Sequence, residues 1–424
     1  MNIYLPPYLG VVFLVIAIVT NQNTAMAESK SLKEKRDKCE QKLSLEEFRA
    51  FALNHSPLVA EIDRDYANSL AEAFEVQVLS NPEFQAEQTF TGMQLEGDND
   101  PQVEVSISQS IRISDFGSRD KVSSLIRRSG DSQNKAEILE FTQKLIIQYR
   151  TLYVFQETEN ILLNAEMRAG NKISLIQKGV KKGLFSKGEE KLFEGEKFRI
   201  QARRKGVSAA ISTLQNKLIE LTGYPCSIVA AKQKPLREIP SVDSLVTTAN
   251  VSQLSEISRL NLLTSLREEQ ISLANFDTYP KVTPRLIYQH SNDGGDFFGA
   301  GISIPLQFWN RNQSEQLRAK AKHKAVKTES DFLVNGGFKS KVKNLRDAAV
   351  NSQEQADIFL QNVIPAFSAA LEAQEKLYSQ GKGNVIQVWQ TLRTLNEVQS
   401  QGLLLWLEAI SIRVQLSLLV GEEI

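Results

Sequence analysis

Catalysis needs side chains that exchange protons, attack an electrophile or hold a metal, and this sequence is poor in them. It contains three histidines, His55, His290 and His323, and two cysteines, Cys39 and Cys226. General acid–base or nucleophilic chemistry would need a histidine within reach of a hydroxyl, thiol or carboxylate partner. None of the three stands in such a motif. His55 falls beside a helix kink at Pro57, His290 at a strand end and His323 on a charged helix face. The five residues form no cluster with metal-ligand spacing, which excludes a zinc module. Gly294-Gly295 lies between two strands and does not open a helix, as a phosphate cradle would. The expectation is a chain with no catalytic residues, no cofactor and no metal of its own.

Composition narrows the classes further. The 424 residues include 50 Lys+Arg and 50 Asp+Glu, a formal net charge of zero. Nucleic-acid binders normally carry a basic excess to offset phosphate, so that class is disfavoured. A hydrophobic content of 42% with 24% charged residues fits an ordered protein. Val11 to Val19 is an unbroken apolar stretch and Ala25-Met26-Ala27 an A-x-A site, so residues 1–27 read as a cleavable export signal. Residues 1–10 lack the usual Lys or Arg, and an uncleaved anchor is the alternative. Past residue 20 there is no run of 18 apolar residues, so no membrane-spanning helix is expected. Export would place both cysteines in an oxidising compartment.

The elements come in two copies. At a constant offset of 198, Lys178 matches Lys376, Gly183 matches Gly381, Gln201 matches Gln399, Leu218 matches Leu416, Leu221 matches Leu419 and Gly223 matches Gly421. Each half reads helix, strand, strand, very long helix, turn, helix. The first half, within residues 28–222, opens at Ser44, a candidate N-cap with Glu47 at the capping-box position. Its helix runs to about residue 79, bent near Pro57. Strands at 83–91 and 103–113, a helix at 118–182, a turn at 183–188 and a return helix to 222 follow. Residues 223–250, with Pro225, Pro235 and Pro240, form a connector. The second half, 251–424, repeats the order: helix 252–278, strands 282–290 and 298–307, helix 311–380, turn 381–384, helix 385–420. Gly336-Gly337 and Pro365 predict a bend or break inside its long helix. A 65-residue helix spans about 98 Å. Two shorter helices stacked end to end would match it, giving a wall of pseudo-continuous columns.

The strands alternate. Val103, Val105, Ile107 and Ile111 share one face of 103–113, and Glu104, Ser106, Ser108, Ser110 and Arg112 the other. Likewise Phe84, Ala86 and Phe90 oppose Gln85, Glu87 and Thr89, and Leu286 and Tyr288 oppose Arg285 and Gln289. Such segments mark a membrane β-barrel with a polar lumen, or equally a soluble sheet packed against helices. Four strands cannot close a water-filled barrel, and open edges are forbidden in lipid. A barrel would therefore need strands from copies of the chain; three copies would supply twelve. Glu87, Glu104, Arg112 and Arg285 would face its lumen. In 136–155 the apolar residues form two stripes, Ile138, Phe141, Leu145, Leu152 and Phe155, with Ile146, Tyr149 and Tyr153 beside them. Two stripes fit a helix with neighbours on both sides; an elongated helical bundle is the alternative.

These residues resemble the TolC family of outer-membrane efflux channels over essentially the whole chain past the signal. Leu43 to Pro57 resembles the family's opening helix, and Asn81-Pro82-Glu83-Phe84 the entry to its first strand. Gly301 to Gln313, with Pro305-Leu306-Gln307-Phe308 and Asn310-Arg311-Asn312, resembles the second strand-to-helix junction, in a form typical of the heavy-metal efflux branch. An extra residue stands before Asn310. Tyr378 to Gly381 and Leu419-Val420-Gly421 resemble the last turn and the terminal helix. The resemblance implies a mainly α fold with a transmembrane β part: a homotrimer with a twelve-stranded barrel, four strands per chain, continuous with a periplasmic α-helical barrel. It implies an outer-membrane location in a Gram-negative bacterium and a passive exit duct serving an inner-membrane pump, of the RND type or an ABC transporter, through a periplasmic adaptor. The adaptor would meet the tip turns, Val180, Gly183, Leu184 and Phe185 in one copy and Gly381, Gly383 and Asn384 in the other. Val180 to Leu184 carries two inserted lysines relative to the family's Val-Gly-Leu turn. Cys39 and Cys226 would both fall near the tunnel waist, where a disulfide could tie the N-terminal strap to the connector; two unpaired thiols is the alternative. Drug export, heavy-metal efflux and type I protein secretion would use the same duct, and a periplasmic coiled-coil scaffold is the reading from another class.

Overall fold

A computed structural model describes residues 40–90, 101–112, 117–232, 236, 238–291, 295–306, 308–309, 311–380 and 382–422. The export-signal region, Cys39 and Gly381 lie outside them.

The first helical column begins with a cap. Ser44 accepts from the Glu47 amide at 3.2 Å while the Glu47 carboxylate accepts from the Ser44 amide at 2.8 Å. This starts α1 (Leu45–His55). The expected bend at Pro57 is a full break: Ser56 is extended and caps α2 (Pro57–Gln77), because the residue before a proline is pushed out of helical geometry. Strands β2 (Glu83–Phe90) and β3 (Pro101–Ser108) follow. Next come the 64-residue α3 (Ser118–Lys181) and the return helix α4 (Lys187–Thr222). The second half runs α5 (Val242–Val251), α6 (Glu256–Phe276), β5 (Thr283–Ser291) and β6 (Gly295–Ser303). Its long helix is three helices, α7 (Gln313–Phe332), α8 (Phe338–Ile358) and α9 (Ile364–Ser379), joined by π-turns at Leu333–Gly337 and Phe359–Val363. Both joints fall where Gly336-Gly337 and Pro365 predict a break. The last helix is α10 (Val385–Val420). Helices α4 and α10 are each 36 residues long, and their bounds differ by the same offset as the sequence identities.

Three elements around the connector were not foreseen. Before α1, β1 (Glu40–Leu43) pairs in parallel with β4 (Ser227–Ala230), which lies in the stretch expected to be a bare connector. Four residues each are too few to carry a periodicity. Side chains fix the pair in place. The Tyr149 hydroxyl donates to the Leu43 carbonyl at 2.5 Å and accepts from the Ala231 amide at 2.8 Å. Gln156 covers the outer edge of β4, accepting from the Ala230 amide and donating to the Ile228 carbonyl. The connector also carries α5, so helical structure resumes ten residues before the expected start of the second half's opening helix.

The core is a string of clusters along the columns. Phe141, Leu145, Tyr149 and Leu152 of α3 pack with Leu214, Leu218 and Leu221 of α4 and Phe48 of α1. The second seam of α3 faces α10 through Ile147, Tyr153 and Val154, against Trp406, Ile410 and Val414. Two neighbours were expected, but Tyr149 belongs to the first seam. Among the described helices α10 is long and apolar enough to cross a bilayer. Its buried Leu392, Leu395, Trp406, Ile410 and Leu416 instead pack on neighbouring helices.

Gly223 and Gly421 end α4 and α10 in the left-handed conformation, φ +70° and +80°. A Cβ at Gly421 would sit 2.4 Å from the Ser255 amide nitrogen and 2.5 Å from the Leu254 carbonyl carbon, both backbone atoms. Gly117, at φ +83°, has nothing within 4 Å. Gly117→Ala should therefore cost about 1 kcal/mol, the backbone penalty alone. Gly421→Ala should cost about 3 kcal/mol or more, with a steric clash added. Thermal melts followed by helical circular dichroism should rank them in that order.

Candidate functional site

The four long strands form one antiparallel sheet in the order β2-β3-β5-β6, so the two halves meet at β3 and β5. Register places Phe84, Ile107, Leu286 and Ala300 in one row and Ala86, Val105, Tyr288 and Phe298 in the next, on the same face. That apolar face is the exposed one: Phe84 is 71% accessible and Phe298 84%. The opposite face carries the rows Glu83, Ser108, Arg285, Gly301; Gln85, Ser106, Ile287, Gly299; and Glu87, Glu104, Gln289, Phe297. There Ser106 is buried, and Arg285 donates to Glu104 at 2.8 Å with both side chains about one-third exposed. The apolar face is thus left uncovered, as it would not be in a sheet packed for water, while Glu83, Gln85, Glu87 and Phe297 on the other face are exposed too. Strands β2 and β6 each have one strand neighbour among the described residues. Beyond β6, Leu306, Phe308 and Trp309 stand exposed at the entry to α7.

The four residues expected on the polar face divide as follows. Register puts Glu87, Glu104 and Arg285 on it together, and the Glu104–Arg285 pair joins the two halves of the chain. Glu87 stands directly across from Glu104, a like-charge contact that Arg285 offsets. Arg112 lies beyond β3, after the bridge from Ile111 to Val282.

At the far end of the helices, about 96 Å along α3 at 1.5 Å per residue, two turns lie side by side. In the first, the amides of Lys182, Gly183 and Leu184 donate to the carbonyls of Gly179, Val180 and Gly179 at 3.0, 3.0 and 2.9 Å. The Phe185 ring lies on Gly179 so closely that a Cβ there would sit 2.2 Å from it. Ser186 and Glu189 form a second capping box, which starts α4 two residues earlier than expected. In the second turn Asn384 caps α10 by accepting from the Ile386 amide at 2.8 Å. Gly383 folds back on Tyr378, where a Cβ would meet backbone at 2.6 Å. Val180, Gly183, Leu184, Phe185, Gly383 and Asn384 are therefore all tip residues.

What the sequence did not reveal is the tie between the two turns. Ile173, Ile176 and Phe193 share a cluster with Val385, and Val180, Phe185, Tyr378 and Trp389 close it. The rings of Phe193 and Trp389 meet edge to face at 4.7 Å. The Lys172 ammonium lies 3.2 Å from Glu375 and 5.4 Å from the centre of the Tyr378 ring. These partners are about 200 residues apart, and only the offset between the repeats hinted at their pairing.

Near the β1–β4 pair, Cys226 is disulfide-bonded. On α3 the Arg150 guanidinium sits over the Trp406 ring at 5.7 Å. Burial, and then the neighbouring Arg413, hold its pKa below the usual arginine value. Among the described residues no group of three or more His, Cys, Asp or Glu side chains could hold a metal ion.

No family model matches the sequence, and no curated protein matches it. Solved structures do. The outer membrane protein VceC from Vibrio cholerae aligns over 89% of this chain and 96% of its own, with a TM-score of 0.70 at 14% identity. CusC, described in terms of folding and transmembrane channel formation, aligns over 89% and 92%, with 0.73 at 12%. The open state of the Neisseria gonorrhoeae MtrE outer membrane channel aligns over 89% of both chains, with 0.69 at 13%. At these identities the likeness establishes the fold: this chain folds as outer-membrane channel subunits do.

Phe193 is buried to 3%, and its removal should open the tip. Phe193→Ala should lose about 3–5 kcal/mol locally. Limited trypsinolysis should then cut at Lys181 or Lys182 several-fold faster, while far-ultraviolet circular dichroism stays near that of the parent chain.

Proposed function

We propose that the protein is the outer-membrane channel subunit of an efflux system, a passive water-filled duct that does no chemistry. One observation carries the reading: a four-stranded sheet exposes its apolar face, holds Glu104 and Arg285 as a partly buried pair on the other, and among the described residues has no strand beyond β2 or β6. Lipid can cover the apolar face, but no open sheet edge is tolerated in lipid. Three copies joined β2 to β6 would close twelve strands around a polar lumen. Strands of eight or nine residues are about 26–30 Å long, or roughly 20–23 Å of height at a tilt of about 40°, close to an apolar band of ~25 Å. Exposed Phe308 and Trp309 would sit at the membrane–water boundary, as aromatic belts do.

The helical columns would then stand in the periplasm, with residues 1–27 the removed export signal. The tip turns would meet a periplasmic adaptor that couples the duct to an inner-membrane pump, of the RND type or an ABC transporter. Heavy-metal cations as cargo rest on the Pro305 to Asn312 junction motif; the same architecture serves type I secretion. The bond of Cys226 is proposed to be to Cys39. In sequence, Cys39 and Cys226 stand immediately before the two residues that open the parallel β1–β4 register, Glu40 and Ser227.

In planar bilayers the purified trimer should conduct, and Glu375→Gln, which frees Lys172 at the tip, should raise the open fraction. A stable monomer in detergent, or a trimer that conducts in neither form, would refute the duct. Mass spectrometry after alkylation without reductant should find Cys39 and Cys226 joined; two alkylated thiols would disprove the bond.

A further inference from the structure

The first tip turn carries Lys178, Lys181, Lys182 and Lys187 and no acidic residue between them. All four are exposed, and among the described residues none has an ion pair. Lys376 and Lys382, exposed at the adjoining turn, add to the same surface. The lysines surround Leu184, which is 71% accessible although its neighbour Phe185 packs inward.

Helix electrostatics accounts for part of this. Lys178 and Lys181 lie in the last turn of α3, where the dipole favours cations. It does not account for Lys182, beyond the helix, nor for Lys187, the first residue of α4, at the end where the dipole disfavours positive charge. Lys178 and Lys181 are also three apart within the helix, a repelling spacing. The turn is held rigid by Phe185 on Gly179 and by the Ser186–Glu189 capping box.

We infer that the tip binds a protein partner that presents carboxylates around an apolar residue, with Leu184 as the contact centre and Lys178, Lys181, Lys182 and Lys187 as its charged rim. This rests on the docking role proposed above and adds the partner's chemistry. Rim charges of this kind set encounter rate and partner choice.

The test uses the full chain in its own cells, with benzoylphenylalanine in place of Leu184, and sequences the crosslinked peptide. An acid-rich segment is expected. Lys181→Glu/Lys182→Glu should cut the crosslink yield about tenfold, and replacing that segment's acids by lysine should restore it. A crosslinked segment without acidic excess, a crosslink to lipid, or a charge swap that fails to restore would overturn the inference while leaving the duct intact. An assembled trimer that crosslinks to nothing would remove the docking role itself.

Discussion

In the proposed duct every backbone amide and carbonyl within the bilayer needs a partner inside the protein, and the placing of the sheet turns on how four strands can meet that demand. Four strands are too few to close on themselves. Their apolar face is already committed outward, as the exposed Phe84, Leu286 and Phe298 show. Burying that face against the helices would strand Glu104 and Arg285 on the outside, and the pair is instead sheltered at 2.8 Å. In the proposed duct, a ring of several chains is the arrangement that satisfies grease, charge and sheet edges together.

The same demand shapes the helical part. A column some 100 Å tall cannot lean on a central core, so it is held by local devices repeated along its length. Capping boxes at Ser44 and Ser186 set the starts of α1 and α4. Left-handed glycines at 223 and 421 set the ends of α4 and α10. The β1–β4 pair, locked by Tyr149 and Gln156, ties the middle. The two halves differ where their sequences do: α3 runs unbroken for 64 residues, whereas two π-turns interrupt its counterpart.

The legible features were those encoded locally. Strand alternation, the Ser44 cap, the long proline-free stretch from 118 and the glycine turns each leave a signature within a few residues. The missed features all depend on residues distant in sequence. The β1–β4 pair joins segments nearly 190 residues apart, and each strand alone is too short for a pattern. The assignment of Tyr149 to one seam rather than the other depends on where Leu43 and Ala231 fall, which α3 does not encode. The Phe193–Trp389 contact at the tip is of the same kind: each aromatic reads as ordinary helix core until the second hairpin is set beside the first. The distribution of charge was hidden for a related reason. A net of zero describes the whole chain and conceals an uneven distribution along it.

From Glu83 to Glu104 the sequence has six acidic residues and no Lys or Arg, while Lys178 to Lys187 has four lysines and no acid. Glu83, Glu87 and Glu104, the described acids of the first stretch, and the four lysines lie towards opposite ends of α3, which is about 96 Å long at 1.5 Å per residue. Charges separated by far more than a Debye length, about 8 Å at physiological ionic strength, do not cancel in solution. A partner or solute therefore meets a local field at each end, and the zero sum is felt nowhere. In a ring of three chains each end would multiply its own sign while the sum stayed at zero. Net charge is thus the wrong descriptor for an elongated molecule, and the positions of its unpaired charges are the informative ones.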